Sequence, residues 1–133
     1  PDGANLDRIQ VVKGWLDADG DTHEQVFDVS WSDPDQRMRG ADGKVPSVGS
    51  SVNEREATYT NTIGAPTLTG YWKDPAFDPS QKAFYYVRVL EIPTPTWLAY
   101  DRKNFNLYDE MPAKAPYTSQ ERAYTSPIWY NPS

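Results

Sequence analysis

The chain has no cysteine and a single histidine, His23. The first absence excludes disulfides, thiolate catalysis and cysteine-ligated zinc. The second excludes a histidine-built metal cluster and leaves one ring for any triad. Aliphatic side chains are scarce as well: Leu, Ile, Val and Phe number 23 of 133 residues, a level at which aliphatics alone make a thin core. Basic residues are outnumbered, 13 against 19 acidic, for a formal net charge of −6. They are also scattered, so nucleic acid is excluded as a partner. No apolar run approaches the ~20 residues that span a bilayer, and no leader-like apolar segment opens the chain. It reads as soluble with no membrane partner, and export to a periplasm or the medium stays open. It begins Pro1-Asp2-Gly3 without Met, which reads as a processed product or a piece of something longer.

What the chain has instead is aromatic bulk. Five Trp and nine Tyr offer large buried areas that offset the missing aliphatics. Twelve Pro and eight Gly disfavour long helices and suit a loop-rich all-β domain. The length allows one core and not two, so residues 1–133 are expected to form a single domain.

Six candidate strands follow from β-branched and aromatic runs bounded by turn residues. Residues 8–16 and 24–31 flank Asp17-Ala18-Asp19-Gly20-Asp21-Thr22, and the Asp-Gly pair marks a hairpin. Shorter runs lie at 57–61 and 67–72. The strongest are 83–92 and 122–130, expected to be antiparallel neighbours. The set predicts an antiparallel β-sandwich, immunoglobulin-like or related, with two long irregular loops at 32–56 and 93–121. Structureless loops beyond ~12–15 residues are uncommon in compact domains unless they are functional or docked on something.

Catalytic signals are thin. The Asp17, Asp19, Asp21 series has Thr22 where a calcium loop requires its glycine, Asp28 where it requires a bidentate acid, and strands in place of the flanking helices, so it reads as a solvated hairpin tip. His23 beside it reads as a turn residue. The acid pairs Asp33/Asp35 and Glu54/Glu56 fall in a loop, and only their spatial separation could make them a glycosidase pair. Binding signals are stronger. Alternation along 83–92 puts Phe84, Tyr86, Arg88, Leu90 and Ile92 on one face and Tyr85, Val87 and Val89 on the other. Both faces are largely apolar, as in a strand covered on both sides. Arg88 on such a face requires an acidic or carbonyl partner, within the domain or on an apposed surface. Segment 93–121 adds Trp97, Leu98, Tyr100, Phe105, Leu107, Tyr108 and Tyr117, too many large apolar groups for water.

The runs Asp7-Arg8-Ile9-Gln10-Val11-Val12-Lys13-Gly14-Trp15, Tyr59-Thr60-Asn61-Thr62-Ile63-Gly64-Ala65-Pro66, Phe84-Tyr85-Tyr86-Val87-Arg88-Val89-Leu90-Glu91-Ile92-Pro93-Thr94-Pro95 and Arg122-Ala123-Tyr124-Thr125-Ser126-Pro127-Ile128-Trp129-Tyr130 resemble the C-terminal region of a large bacterial domain-of-unknown-function family. The longer N-terminal part of that family is similar to the PHP (polymerase and histidinol phosphatase) superfamily of metal-dependent hydrolases. The resemblance spans nearly the whole chain. It implies a non-catalytic accessory β domain that packs on the N-terminal catalytic domain of the same polypeptide and helps shape its cleft. Divalent metal ions would belong to that N-terminal domain, with no cofactor, catalytic residue or metal ligand in this chain. The interdomain or ligand-facing candidates are Phe84, Tyr86, Arg88, Leu90, Trp97 and Tyr100. The alternative is an independent carbohydrate- or ligand-binding module using exposed Trp and Tyr, with Trp97 and Tyr100 first.

Overall fold

The structure, a computed structural model, describes residues 3–132. Two long strands, β1 (Leu6–Leu16) and β2 (Thr22–Trp31), form the expected hairpin. At its tip the Asp17 amide donates to the Asp21 carbonyl (3.0 Å) and the Gly20 amide to the Asp17 carbonyl (3.2 Å). Gly20 takes φ 87°, a conformation costly for residues with a Cβ. β1 pairs along its other edge with β3 (Ala83–Glu91), so β1 and β3 are central. The outer edge of β3 is shared by two short strands, β6 (Arg122–Tyr124) against Arg88–Leu90 and β7 (Ile128–Tyr130) against Ala83–Tyr85. A small ribbon of β4 (Thr94–Pro95) and β5 (Thr118–Ser119) completes the strands.

The fold is therefore antiparallel, all-β and sandwich-like. Covering layers come from connecting segments instead of a second broad sheet. On the face of Val11, Lys13, Tyr85 and Phe27, the segment around Trp72 and Asp74 lies across the strands. Trp72 packs against Phe27 (ring centroids 5.0 Å apart) and Tyr85 (6.1 Å). On the opposite face, Val45 and Pro46 cover one end of the sheet through contacts to Arg8 and Asp28, and Arg37 joins them through Asp7 and the Pro46 carbonyl. Val12 and Ile92 are fully enclosed.

Three local expectations are corrected. The strand expected over 122–130 is broken at Thr125-Ser126-Pro127, because Pro127 has no N–H for a ladder. The gap is bridged at Val87, whose carbonyl accepts from the Thr125 amide (2.9 Å) and whose amide donates to Thr125 Oγ1 (3.0 Å). The runs 57–61 and 67–72 are not strands. The first starts in the turn 54–57 that the Asn53–Thr58 bridge closes and leaves it without a ladder, and a further bridge joins Leu6 to Ala65. The second has no ladder partner among the described residues and packs through Trp72.

The segment 93–121 is also more ordered than its composition suggests. It contains β4, β5 and a helix α1 (Trp97–Asn104). Eight residues are too few for a helix stable on propensity. α1 is held by tertiary contacts: Arg102 donates to the Glu54 carbonyl (2.9 Å), Lys103 to the Glu56 carbonyl (2.8 Å), and Arg102 lies 3.6 Å from the Tyr117 ring centroid. Ala57, Ala99 and Tyr117 form a second small core there, with Leu98, Met111 and Ala115 around it. Leu98 and Tyr117 are covered there, whereas Trp97, Tyr100 and Phe105 stay exposed.

Candidate functional site

The register of β1 and β3 sets Gly14 opposite Phe84, Val12 opposite Tyr86, Gln10 opposite Arg88 and Arg8 opposite Leu90. β6 and β7 add Tyr124 opposite Arg88 and Trp129 opposite Phe84 on the same face. An aromatic stripe results. Phe84 and Tyr86 lie parallel with centroids 6.4 Å apart, Trp129 sits 5.2 Å from Phe84, and Tyr124 sits 6.2 Å from Tyr86. Phe84 and Tyr86 are half-buried, whereas Tyr124 is 58% and Trp129 67% exposed. A groove of about 500 Å³ opens at the Phe84 end, lined by Gly14, Leu16, Glu24, Phe84, Trp129 and Asn131 among others.

Gly14 is what lets the stripe lie flat. A Cβ there would overlap Phe84 Cε1 and Cζ, so the ring crosses β1 through the space a side chain would fill. Gly14→Ala should swing the Phe84 ring off β1, break its contact with Trp129 and cost about 1–3 kcal/mol as overpacking does. A thermal melt unchanged within error, with the aromatic near-UV circular dichroism intact, would contradict this role.

At the other end the same face turns polar and closes. Asp28 accepts from Arg8 Nη1 (3.2 Å), Gln10 Nε2 (2.6 Å) and the Val45 amide (2.9 Å). Asp7 accepts from Arg8 Nε (3.1 Å), Gln120 Nε2 (2.8 Å) and Arg37. Arg37 also donates to the carbonyls of Ser32 (3.1 Å) and Pro46 (2.8 Å). All five network members, Asp7, Arg8, Gln10, Asp28 and Arg37, are buried. Arg88 lies between network and stripe, its Nε donating to Gln10 Oε1 (2.6 Å).

This chain belongs to the family described as Protein of unknown function (DUF3604). The match covers residues 1–132. Neither curated proteins nor solved structures give a match. In this DUF3604 chain, no group of three or more His, Cys, Asp or Glu is placed to hold a metal ion among the described residues. Likewise, no helix among them is long and apolar enough to cross a membrane.

The structure gathers Phe84, Tyr86, Arg88 and Leu90 on one face, as alternation requires. Leu90 is buried at the closed end, between Arg8 and Arg122. Trp97 and Tyr100 lie elsewhere, exposed on α1 and absent from the lining of the Phe84 groove. His23 stacks on Trp15 (5.2 Å) and pairs through Nε2 with Asp17 Oδ2 (2.6 Å). Asp17 is thereby held below the ordinary carboxylate range, first by the His23 hydrogen bond and then by the Asp21 amide. Its Oδ1 accepts from the Asp19 and Asp21 amides, so the carboxylate organises the hairpin tip. Sequence reasoning missed Tyr124 and Trp129 as members of the stripe. Alternation could not have found the pair: in an unbroken strand positions 124 and 129 fall on opposite faces, and the break at Thr125-Ser126-Pro127 is what brings both beside Phe84 and Tyr86.

Proposed function

We propose that this DUF3604 chain is the non-catalytic C-terminal β domain of a PHP-like metal-dependent hydrolase. Its Phe84, Tyr86, Tyr124, Trp129 face would seat on the catalytic domain. The observation that carries the proposal is the uncovered stripe: a central strand, β3, keeps two aromatics half-open, and its outer neighbours β6 and β7 present Tyr124 and Trp129 to water. Contiguous exposed aromatics on one sheet face are the composition of an interface core. A sugar module would want a flat platform. Here Trp129 is tilted 47° from Phe84 and Tyr124 46° from Tyr86, so no plane spans an exposed ring and its neighbour. Tilted rings suit the side chains of an apposed protein surface better.

The test is association. The intact polypeptide of the source gene is cut at a protease site introduced just before Pro1, and separation of the two pieces is followed by size exclusion and by dissociation rate. Trp129→Ser with Tyr124→Ser should weaken the complex by at least about thirtyfold, as loss of hot-spot aromatics does. A source gene encoding nothing upstream beyond a leader, or pieces that separate equally with and without the substitutions, overturns the proposal.

A further inference from the structure

At the polar end of the stripe, the three guanidiniums in or touching the buried network, Arg8, Arg37 and Arg88, face two carboxylates, Asp7 and Asp28. Asp7 and Asp28 serve Arg8 and Arg37. Arg88 reaches neither. Among the described residues the ion pairs are Arg8 with Asp7 and Asp28, Arg37 with Asp7, Lys13 with Asp74, His23 with Asp17 and Lys103 with Glu56. Arg88 is in none of them, and its single hydrogen bond is from Nε to Gln10 Oε1. Among the described residues its Nη1 and Nη2 have no hydrogen-bond partner, and neither is among the buried unpaired side-chain atoms there, Trp31 Nε1 and Arg102 Nε. Both Nη groups therefore reach the surface.

That half-pairing is oriented. Asp28 Oδ1 takes the Gln10 amide N–H, which turns Gln10 Oε1 toward Arg88 and fixes the guanidinium by its inner edge. The outer edge, two parallel N–H groups, is the geometry that receives a carboxylate in bidentate fashion. Flanking it are Tyr86, two residues back on the same face, and Tyr124, directly opposite on β6. We infer that Arg88 is the socket for a carboxylate of the partner surface, an Asp or Glu set among apolar side chains that cover Tyr86, Tyr124 and Trp129. The inference rests on the docking reading above and names the chemistry of what docks. Charge favours it: this end of the face is locally positive on a chain of net charge −6, so an acidic anchor is attracted here and repelled elsewhere.

The same cleaved, intact polypeptide tests it, with Trp129→Ser as the control for docking itself. Arg88→Gln should raise dissociation at least about thirtyfold, because the partner's carboxylate is left covered and unpaired. It should also flatten the salt dependence of association. Arg88→Lys, which keeps the charge and loses the fork, should fall between the two and retain the salt dependence. A role confined to the Gln10 network would lower the chain's melting temperature and leave the salt dependence as in the parent, and that result overturns the inference. Should Arg88→Gln fail to fold, Arg88→Lys decides: parent-like dissociation overturns the bidentate socket. If Trp129→Ser weakens the complex and neither Arg88 variant does, docking stands and the carboxylate socket falls. If none of the three weakens it, both fall.

Discussion

Asp7→Ala is expected to destabilise the domain by about 3–5 kcal/mol, the cost of leaving a buried charge uncompensated. Asp7 has a side chain 3% exposed and joins three separate parts of the chain. One oxygen receives Arg37 from the segment after β2, and the other receives Arg8 Nε on β1 and Gln120 Nε2 from the stretch between β5 and β6. Without it Arg37 keeps only the Ser32 and Pro46 carbonyls and the Ser32 hydroxyl, all neutral. Arg8 keeps Asp28 alone among carboxylates. Domains of this size are stable by roughly 5–15 kcal/mol, so the substitution removes a large part of the total. Asp7→Asn, which retains acceptors and loses charge, should fall in between. Urea melts of the purified chain measure both, and a midpoint for Asp7→Ala within about 1 kcal/mol of the parent would show that these guanidiniums find water instead.

The central sheet was legible because each of its signals is local. The Asp-Gly turn sets the hairpin, and the two-residue period of 83–92 sets which side chains share a face. The limits of that legibility are equally physical. α1 is too short to declare itself by periodicity and owes its existence to contacts with residues 54–56 and Tyr117, over forty positions away in one direction. The network of Asp7, Asp28 and Arg37 was invisible for the same reason. Its members are separated by up to 30 residues, and charged residues at such spacing look like a solvated surface until a fold brings them together. Of the six candidate residues, four share a face by alternation. The placement of Tyr124 and Trp129 beside them depends on strand pairing, which β-enrichment suggests without fixing register. For Arg88 the sequence required an acidic or carbonyl partner, and the structure supplies the side-chain carbonyl of Gln10.

On the opposite face, Asp74→Ala is expected to cost about 3–5 kcal/mol by the same logic of an orphaned buried charge. The Lys13 and Asp74 side chains are only 4% and 6% exposed and lie 2.6 Å apart. Asp74 also accepts from Tyr85 Oη (2.7 Å) and from the Ala76 amide (2.9 Å), which pins the covering segment to β1 and β3. Lys13 would be left with the Ala76 carbonyl (2.8 Å) and the faces of Trp15 and Tyr85. Replacing both partners, Lys13→Met with Asp74→Leu, should recover only part of the loss, since an apolar pair avoids desolvating either ion but leaves Tyr85 Oη and the Ala76 amide without their acceptor. The trio also gives stability a pH profile with two limbs. Burial pushes the Asp74 carboxyl up, but the Lys13, Tyr85 and Ala76 hydrogen bonds and the Lys13 charge outweigh it and hold the group below its ordinary 3.8. As pH falls the unfolded chain therefore takes up this proton first. The contribution of Asp74 is complete above about pH 4 and is lost as pH drops through the lowered folded value. Tyr85 behaves in the opposite sense. Burial, then the Asp74 hydrogen bond and charge, raise its phenol above the ordinary 10.0. Its contribution is complete below about pH 10 and declines as pH rises from there toward the folded value. Thermal midpoints measured across pH should fall on both sides, with Asp74→Asn flattening the acid limb and Tyr85→Phe the alkaline one. An acid limb that keeps its slope in Asp74→Asn would refute the part assigned to Asp74.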